Sequence, residues 1–330
     1  MIRKSMMLFA CLAALAAGPA GAQGKKMIVA APGIPPIFAA VPLYVAEKEG
    51  LFKKHGVDVE VRPFDTGTAA ARAVLAGDID ISLSPTNLII NQISNADANV
   101  VAIYGFPEPD WILASIDPAK RDCKDVAGQP VGVDAVGGAR SIALRIMLVV
   151  CPGAKIDDVQ QVALSSNTAP AMLAGRLSFG VLHLDDIAVL ESQGKRVYTL
   201  LAMKETNPTS HYLLAVARQD KLKDNRDSYV RALAGLTEAV RFMQDPKNAD
   251  RVADDAAPTG HSKEISKLAL KQFLDIGFWA ANDNGMDRTK LDAMIAISVK
   301  TGGVMAGKEP VKYKRLVDET VWRDANAMVK

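Results

Sequence analysis

The sequence predicts an α/β protein of two lobes, each a mostly parallel sheet flanked by helices. Three observations carry that reading. Short β-rich runs alternate with longer helical ones from Lys26 onward. The same alternation restarts after a proline-bearing polar stretch, "FPEPDWILASIDPAKRD". One phrase, a helix end, a glycine and a strand, is written twice, as "LAGDIDISL" at 75–83 and "LAGRLSFGVL" at 173–182. Strand and helix in strict alternation is the pattern of parallel sheets, whose crossovers need a helix.

In chain order, "KMIVAAP" reads as a first strand and "VPLYVAEKEGLFKKHG" as a helix closed by Gly50 and Gly56. "VDVEVRPF" alternates with period two, "TAAARAVLAG" is helical and "DIDISLS" is a third strand. The second unit runs "QPVGVDA" (strand), "ARSIALRIMLVV" (helix), "VQQVALS" (strand), "APAMLAG" (helix) and "LSFGVLHL" (strand). In both repeated phrases glycine can take the left-handed helix cap that other residues resist, so Gly77 and Gly175 read as helix stops. After the turn-prone "ETNPTS" comes one more apolar run, "HYLLAVAR", and then four helical stretches, the first with Tyr229, Leu233, Leu236, Val240 and Met243 at helical spacing.

The N-terminus is set apart. Arg3 and Lys4 precede the apolar run "MMLFACLAALAA" and then "GPAGAQ", the three parts of a secretory signal, with a cut after Ala22. That run is 12 residues long, short of the roughly 20 a membrane span needs. The whole chain has 39 basic and 37 acidic residues; without Arg3 and Lys4 the two counts are equal. No basic stripe with interleaved aromatics is visible, which argues against a nucleic-acid surface. Beyond the signal two cysteines remain, Cys123 and Cys151, which pair in an oxidising compartment or stand as separate thiols; the spacing leaves both open.

Enzyme signatures are missing: there is no H-E-x-x-H, C-x-x-C, G-x-S-x-G or G-x-G-x-x-G. His55, His183, His211 and His261 lie far apart in sequence, which favours structural or surface roles. "GGVMAGKE" imitates a phosphate loop in Gly302, Gly307 and Lys308, but Glu309 stands where the loop requires Ser or Thr. No metal and no cofactor is expected.

The stretch "VPLYVAEKEGLFKKHGVDVEVRPFDTGTAAARAVLAGDIDISLSPT", and within it "YVAEKEGLFKKHGVDVEV" above all, resembles the periplasmic solute-binding proteins of ABC importers for sulfonates, taurine, nitrate, thiamine-pyrimidine precursors and aromatic acids. The resemblance continues through "GVDAVGGARSIALRIML", "LAGRLSFGVLHLDD" and "DIGFWAANDNGMDRTKLDAMIAISVKTGGV". It implies a type II clamshell, with a signal peptide at 1–22, a first lobe at 23–112 and 213–330, and a second lobe at 113–212. It further implies a monomer in the periplasm that captures a solute and delivers it to an ABC permease and its ATPase.

Ligands on open parallel sheets sit beyond the carboxyl ends of the strands. Those ends carry "DTGT", "SPTN", "VGGARS" and "SSNT", so the candidate ligand residues are Thr66, Gly67, Thr68, Ser84, Thr86, Asn87, Gly138, Arg140, Ser141 and Asn167, with Asp185 from "HLDD". Free N–H groups and the positive dipole end of a helix suit an anion, though each hydroxyl could instead be an N-cap worth about 1 kcal/mol to its own helix. Phe38 and Phe106, with Tyr104 and Trp111, are candidate apolar walls. Arg140 as a partner for carboxylate or sulfonate makes an aromatic carboxylate such as phthalate, or a sulfonate, the expected ligand. A thiamine-pyrimidine precursor or a flavin is the alternative ligand. The rivals to a transport role are a secreted pyrimidine-synthase-like enzyme, whose cysteine-rich iron motif is absent, and a secreted sensor.

Overall fold

The period-two "VEVRPF" and the apolar "MIVAAP" form adjacent strands in the computed structural model, which describes residues 26–329. β1 (Met27–Pro32) and β2 (Val59–Phe64) run parallel, Met27 beside Val59 and Pro32 beside Phe64. β3 (Ile81–Pro85) pairs parallel to β1 on the other side. β4 (Val100–Phe106) closes this first sheet through β10 (Leu213–Arg218), which runs antiparallel to both β3 and β4. The order is β2-β1-β3-β10-β4.

The second sheet holds β5 (Ile112–Ser115), β6 (Pro130–Val133), β7 (Gln160–Ala163), β8 (Phe179–Leu182) and β9 (Tyr198–Ala202) in the order β7-β6-β8-β5-β9. β6 pairs parallel with β7 and β8, and β5 runs antiparallel to β8 and β9. Each sheet therefore has one reversed strand, and in each it is the strand reached by crossing from the other lobe. The chain crosses at 107–111 and again at 203–212.

Three strands that the sequence patterns leave unread are present. β4 is buried along its whole length, so it lacks the alternation that marks a half-exposed strand. β5 lies inside the proline-bearing stretch between the two units, and β9 is a five-residue edge strand, YTLLA, whose residues are half-buried or exposed without a period-two alternation of apolar and polar residues. Cys123 and Cys151 are joined, their Cα atoms 6.0 Å apart, which ties the turn before β6 to the segment after the helix Ala139–Leu148. The signal-like segment, Cys11 included, lies outside the described residues. Among those described, no helix is long and apolar enough to cross a membrane.

The glycines matter most at one close approach. Gly105 on β4 donates its N–H to Asn284 O at 2.9 Å, and a Cβ on Gly105 would lie 2.4 Å from Gly285 O and 2.8 Å from His211 Nε2. Only a glycine lets the C-terminal turn at 284–286 seat against the sheet.

Candidate functional site

The carboxyl ends of β1, β3, β6 and β8 converge on a cavity between the lobes. From the first lobe come Pro32, Gly33, Ile37, Asp65, Thr66 and Gly67, and from the second Asp134, Arg140, Ser165, Ser166 and His183, with Tyr212 on the second crossover. The cavity is tight, about 30 Å³, room for one or two waters. Two hydrogen bonds tie its rim across the cleft: Ser165 Oγ donates to Asp65 O at 2.5 Å, and Ser166 Oγ donates to Pro35 O at 2.8 Å.

Asp134 follows β6 directly, and the turn "DAVGGA" brings its carboxylate onto the start of the helix Ala139–Leu148. It accepts from the N–H of Ala139 at 2.8 Å and of Arg140 at 3.0 Å. A Cβ at Gly138 would lie 2.6 Å from both carboxylate oxygens, so glycine is what admits them. The helix start that sequence reasoning reserves for an anionic ligand already holds a carboxylate of this chain.

Arg140 lines the cavity and is 3 % exposed. Its Nη1 pairs with Asp186 at 2.9 Å and donates to Val181 O at 2.9 Å. Opposite it, His183 Nδ1 meets Asp110 Oδ1 at 2.8 Å. Burial pulls the His183 pKa down, but the Asp110 carboxylate outweighs it and the imidazole is raised above its ordinary value. Burial also holds the Tyr212 phenol far above its ordinary pKa, so it is neutral and can donate. Arg140 and His183 in the wall are thus each matched by a carboxylate behind it, whereas Asp65 stands at the rim with no ion-pair partner among the described residues.

Of the residues expected from sequence, Thr66, Gly67 and Arg140 line the cavity, and Gly138 shapes it from behind. Thr66 is also the N-cap of the helix Gly67–Ala76, its Oγ1 accepting from Ala69 N at 3.0 Å. The others are placed elsewhere. Phe38 is fully buried against Phe273 and Trp279, with centroids 5.3 and 6.3 Å away, because the short turn after Ile37 directs it into the core and Ile37 to the cavity. Phe106 packs edge-on to Tyr104 at 5.5 Å inside the first lobe. Ser84 hydrogen-bonds Ser82 at 2.7 Å within the sheet, and Thr86 bonds His211 Nδ1 at 2.8 Å. Thr68 keeps a buried hydroxyl without a partner in the first turn of the helix Gly67–Ala76. Asn87 lines a separate groove. Ser141 bonds Gln161 and the N–H of Gly137, and Asn167 lies next to the rim serines without lining the cavity.

Asp185 is buried too, but it faces the first lobe. Its Oδ2 meets His261 Nε2 at 2.9 Å, an ion pair between the helix Leu184–Ser192 and the turn before the helix Lys263–Asp275. Asp65, Asp134 and Tyr212 are not among the residues the sequence pointed to, and His183, for which separation from other histidines favours a structural or surface role, is instead buried in the cavity wall. The signal available for Asp134 was its place as the first polar residue after a strand, ahead of a Gly-Gly helix start.

Two α/β lobes, each with one reversed strand and a cavity at the strand ends between them, define the two-lobed periplasmic-binding-protein fold. The family described as "NMT1/THI5 like" matches residues 38–249, more than half of the chain, and the protein belongs to it. A Brucella abortus protein that carries the name of a binding protein is 25 % identical over 201 residues, 60 % of this chain and 61 % of that one. The match thus spans less than two thirds of that relative's length. A Bordetella bronchiseptica RB50 protein of known structure superposes with a TM-score of 0.77 at 18 % identity, covering 92 % of this chain and 97 % of that one. The periplasmic nitrate-binding protein of Synechocystis PCC 6803 does so with a TM-score of 0.75 at 14 % identity, covering 92 % and 89 %.

Proposed function

We propose that this protein is an extracytoplasmic receptor that closes on a small organic solute and presents it to an ABC permease and its ATPase. Family membership, the two-lobed fold and the cavity walled by both lobes support this reading. Ligand contacts from the two lobes favour the closed form, and the permease responds to closure. Because the cavity is about 30 Å³ as the lobes stand, an organic ring is accommodated only with the lobes further apart. Opening would first break the rim bonds of Ser165 and Ser166. No covalent step is required of any residue in the wall.

The ligand that the charges favour is uncharged or cationic, with an N–H-bearing edge, such as an aminopyrimidine of the thiamine-precursor kind. The observation that carries this is Asp134, which occupies the helix start that would otherwise receive an anion. An aromatic carboxylate or a sulfonate draws support from Arg140 alone, and the Nη1 of that guanidinium is already bonded to Asp186 and Val181 O. The binding proteins for nitrate and alkanesulfonate that share the fold do so at 14 % identity, which speaks to the fold and not to the ligand.

Thermal unfolding of the protein against aminopyrimidines, aromatic acids and sulfonates tests the assignment. A ligand at 100 times its Kd raises stability by about 2.7 kcal/mol. The expected result is a shift with an aminopyrimidine that Asp65→Asn reduces. A shift with sulfonates or phthalate that Arg140→Gln abolishes, with none from pyrimidines, overturns the ligand class while leaving the receptor role in place.

A further inference from the structure

Away from the central cavity, a second and much larger hollow opens between the lobes. It is about 370 Å³, against about 30 Å³ for the central one. Asn87 and Asn91 of the helix Thr86–Ala96 form one side, Ile142, Arg145 and Ile146 of the helix Ala139–Leu148 the other, and Ile297, Ser298 and the glycines at 302–303 the base. It continues past Arg145 and Ile297 toward Lys155 and Lys300.

Two features of its wall are unexplained by folding. Ser298 is 2 % exposed and its hydroxyl has no hydrogen-bond partner, and the side-chain oxygen of Asn91 is buried and likewise unpartnered. A buried polar atom without a partner keeps its desolvation cost, which a bound group could recover. The charged groups along the groove, Arg145, Lys155 and Lys300, are all cations, all exposed, and none forms a salt bridge with an acid among the described residues. This is the reverse of the central cavity, whose cations are matched.

We propose that this groove is a second binding site, for a small organic anion with an apolar body and a hydroxyl or N–H donor. The carboxylate would pair with Arg145, the apolar body would lie on Ile142 and Ile297, and the donor would satisfy Asn91 Oδ1. Since its two walls belong to different lobes, a ligand here stabilises the closed arrangement without entering the central cavity.

The probe is 4-hydroxybenzoate, which carries all three features, titrated calorimetrically into the wild-type protein, Arg145→Gln and Ile142→Asp. Both substitutions fall on a half-exposed helix face, and circular dichroism checks that the variants fold. Saturable binding that weakens at least tenfold in Arg145→Gln and in Ile142→Asp supports the site. No saturable binding to the wild type, or equal affinity in all three proteins, overturns it. Arg145 does not line the central cavity, so failure here leaves the aminopyrimidine assignment untouched.

Discussion

At the scale of single residues, the site is governed by which carboxylates are matched. Asp134 reaches the helix start only because residue 138 has no side chain. Gly138→Ala is therefore expected to displace that carboxylate, to cost about 1 kcal/mol as a lost cap, and to weaken ligand binding; chemical denaturation and calorimetry on the variant check both. His211 offers a cleaner test of burial. It is enclosed between Thr86 Oγ1 at 2.8 Å and Gly285 O at 2.7 Å, and burial lowers its pKa to about 4. A histidine depressed in the folded state binds its proton first in the unfolded one, so its contribution is fully present above pH 6.5 and is lost as pH falls toward 4. Over that window the loss is about 3 kcal/mol. Unfolding free energies at pH 7 and pH 4 should differ by about that much more in the wild type than in His211→Asn, and equal differences would show that His211 does not carry the acid sensitivity.

At the scale of elements, most of the architecture was legible because helix stops and strand starts are written in local chemistry. Gly77 and Gly175 both adopt the left-handed cap, with φ of +85° and +71°, and strands β3 and β8 follow each within a few residues. The elements that escaped did so for physical reasons. β4 shows no alternation because both of its faces are buried, and β5 hides among prolines that mark the crossover. The site was legible in its loops but less so in its side chains: "DTGT", "VGGARS" and "SSNT" do border the cavity or its rim, yet which residue faces inward depends on turn geometry. Ile37 and Phe38 are adjacent, and the former meets the cavity while the latter is core. The pairing of Cys123 with Cys151, left open by spacing alone, closes a loop across 28 residues of separation. On the chain-entropy estimate such a loop contributes about 3.5 kcal/mol. The double variant Cys123→Ser, Cys151→Ser should lose about that much in a denaturant titration and still bind ligand, since neither cysteine lines the cavity.

At the scale of the whole molecule, the polar bonds between the lobes among the described residues include one that titrates. The two rim serines bond to backbone carbonyls, which do not change with pH. His261 and Asp185 form the ion pair between lobes, packed with the Phe38 ring on one side and with Arg140, His183 and Asp186 among the charges around Asp185. Burial lowers the His261 pKa, but its bond to Asp185 outweighs that and raises it above the ordinary value. Since the pair exists only when the lobes meet, the closed form binds that proton more tightly than the open one. The stabilisation of closure is then complete below the ordinary histidine pKa and is lost as pH rises through the raised one. The loss is made larger, not steeper, by Asp185, whose other oxygen is already buried without a partner, so a neutral imidazole leaves a carboxylate poorly compensated. Ligand affinity should therefore fall as pH rises through this window, by no more than about tenfold per pH unit for a single proton, with the radius of gyration in solution rising in step. His261→Gln, which keeps a hydrogen-bond donor but cannot titrate, should bind more weakly at low pH and show a flat profile. If the variant loses affinity with pH as steeply as the wild type, the pH dependence belongs to His183 in the cavity wall and not to the pair between the lobes.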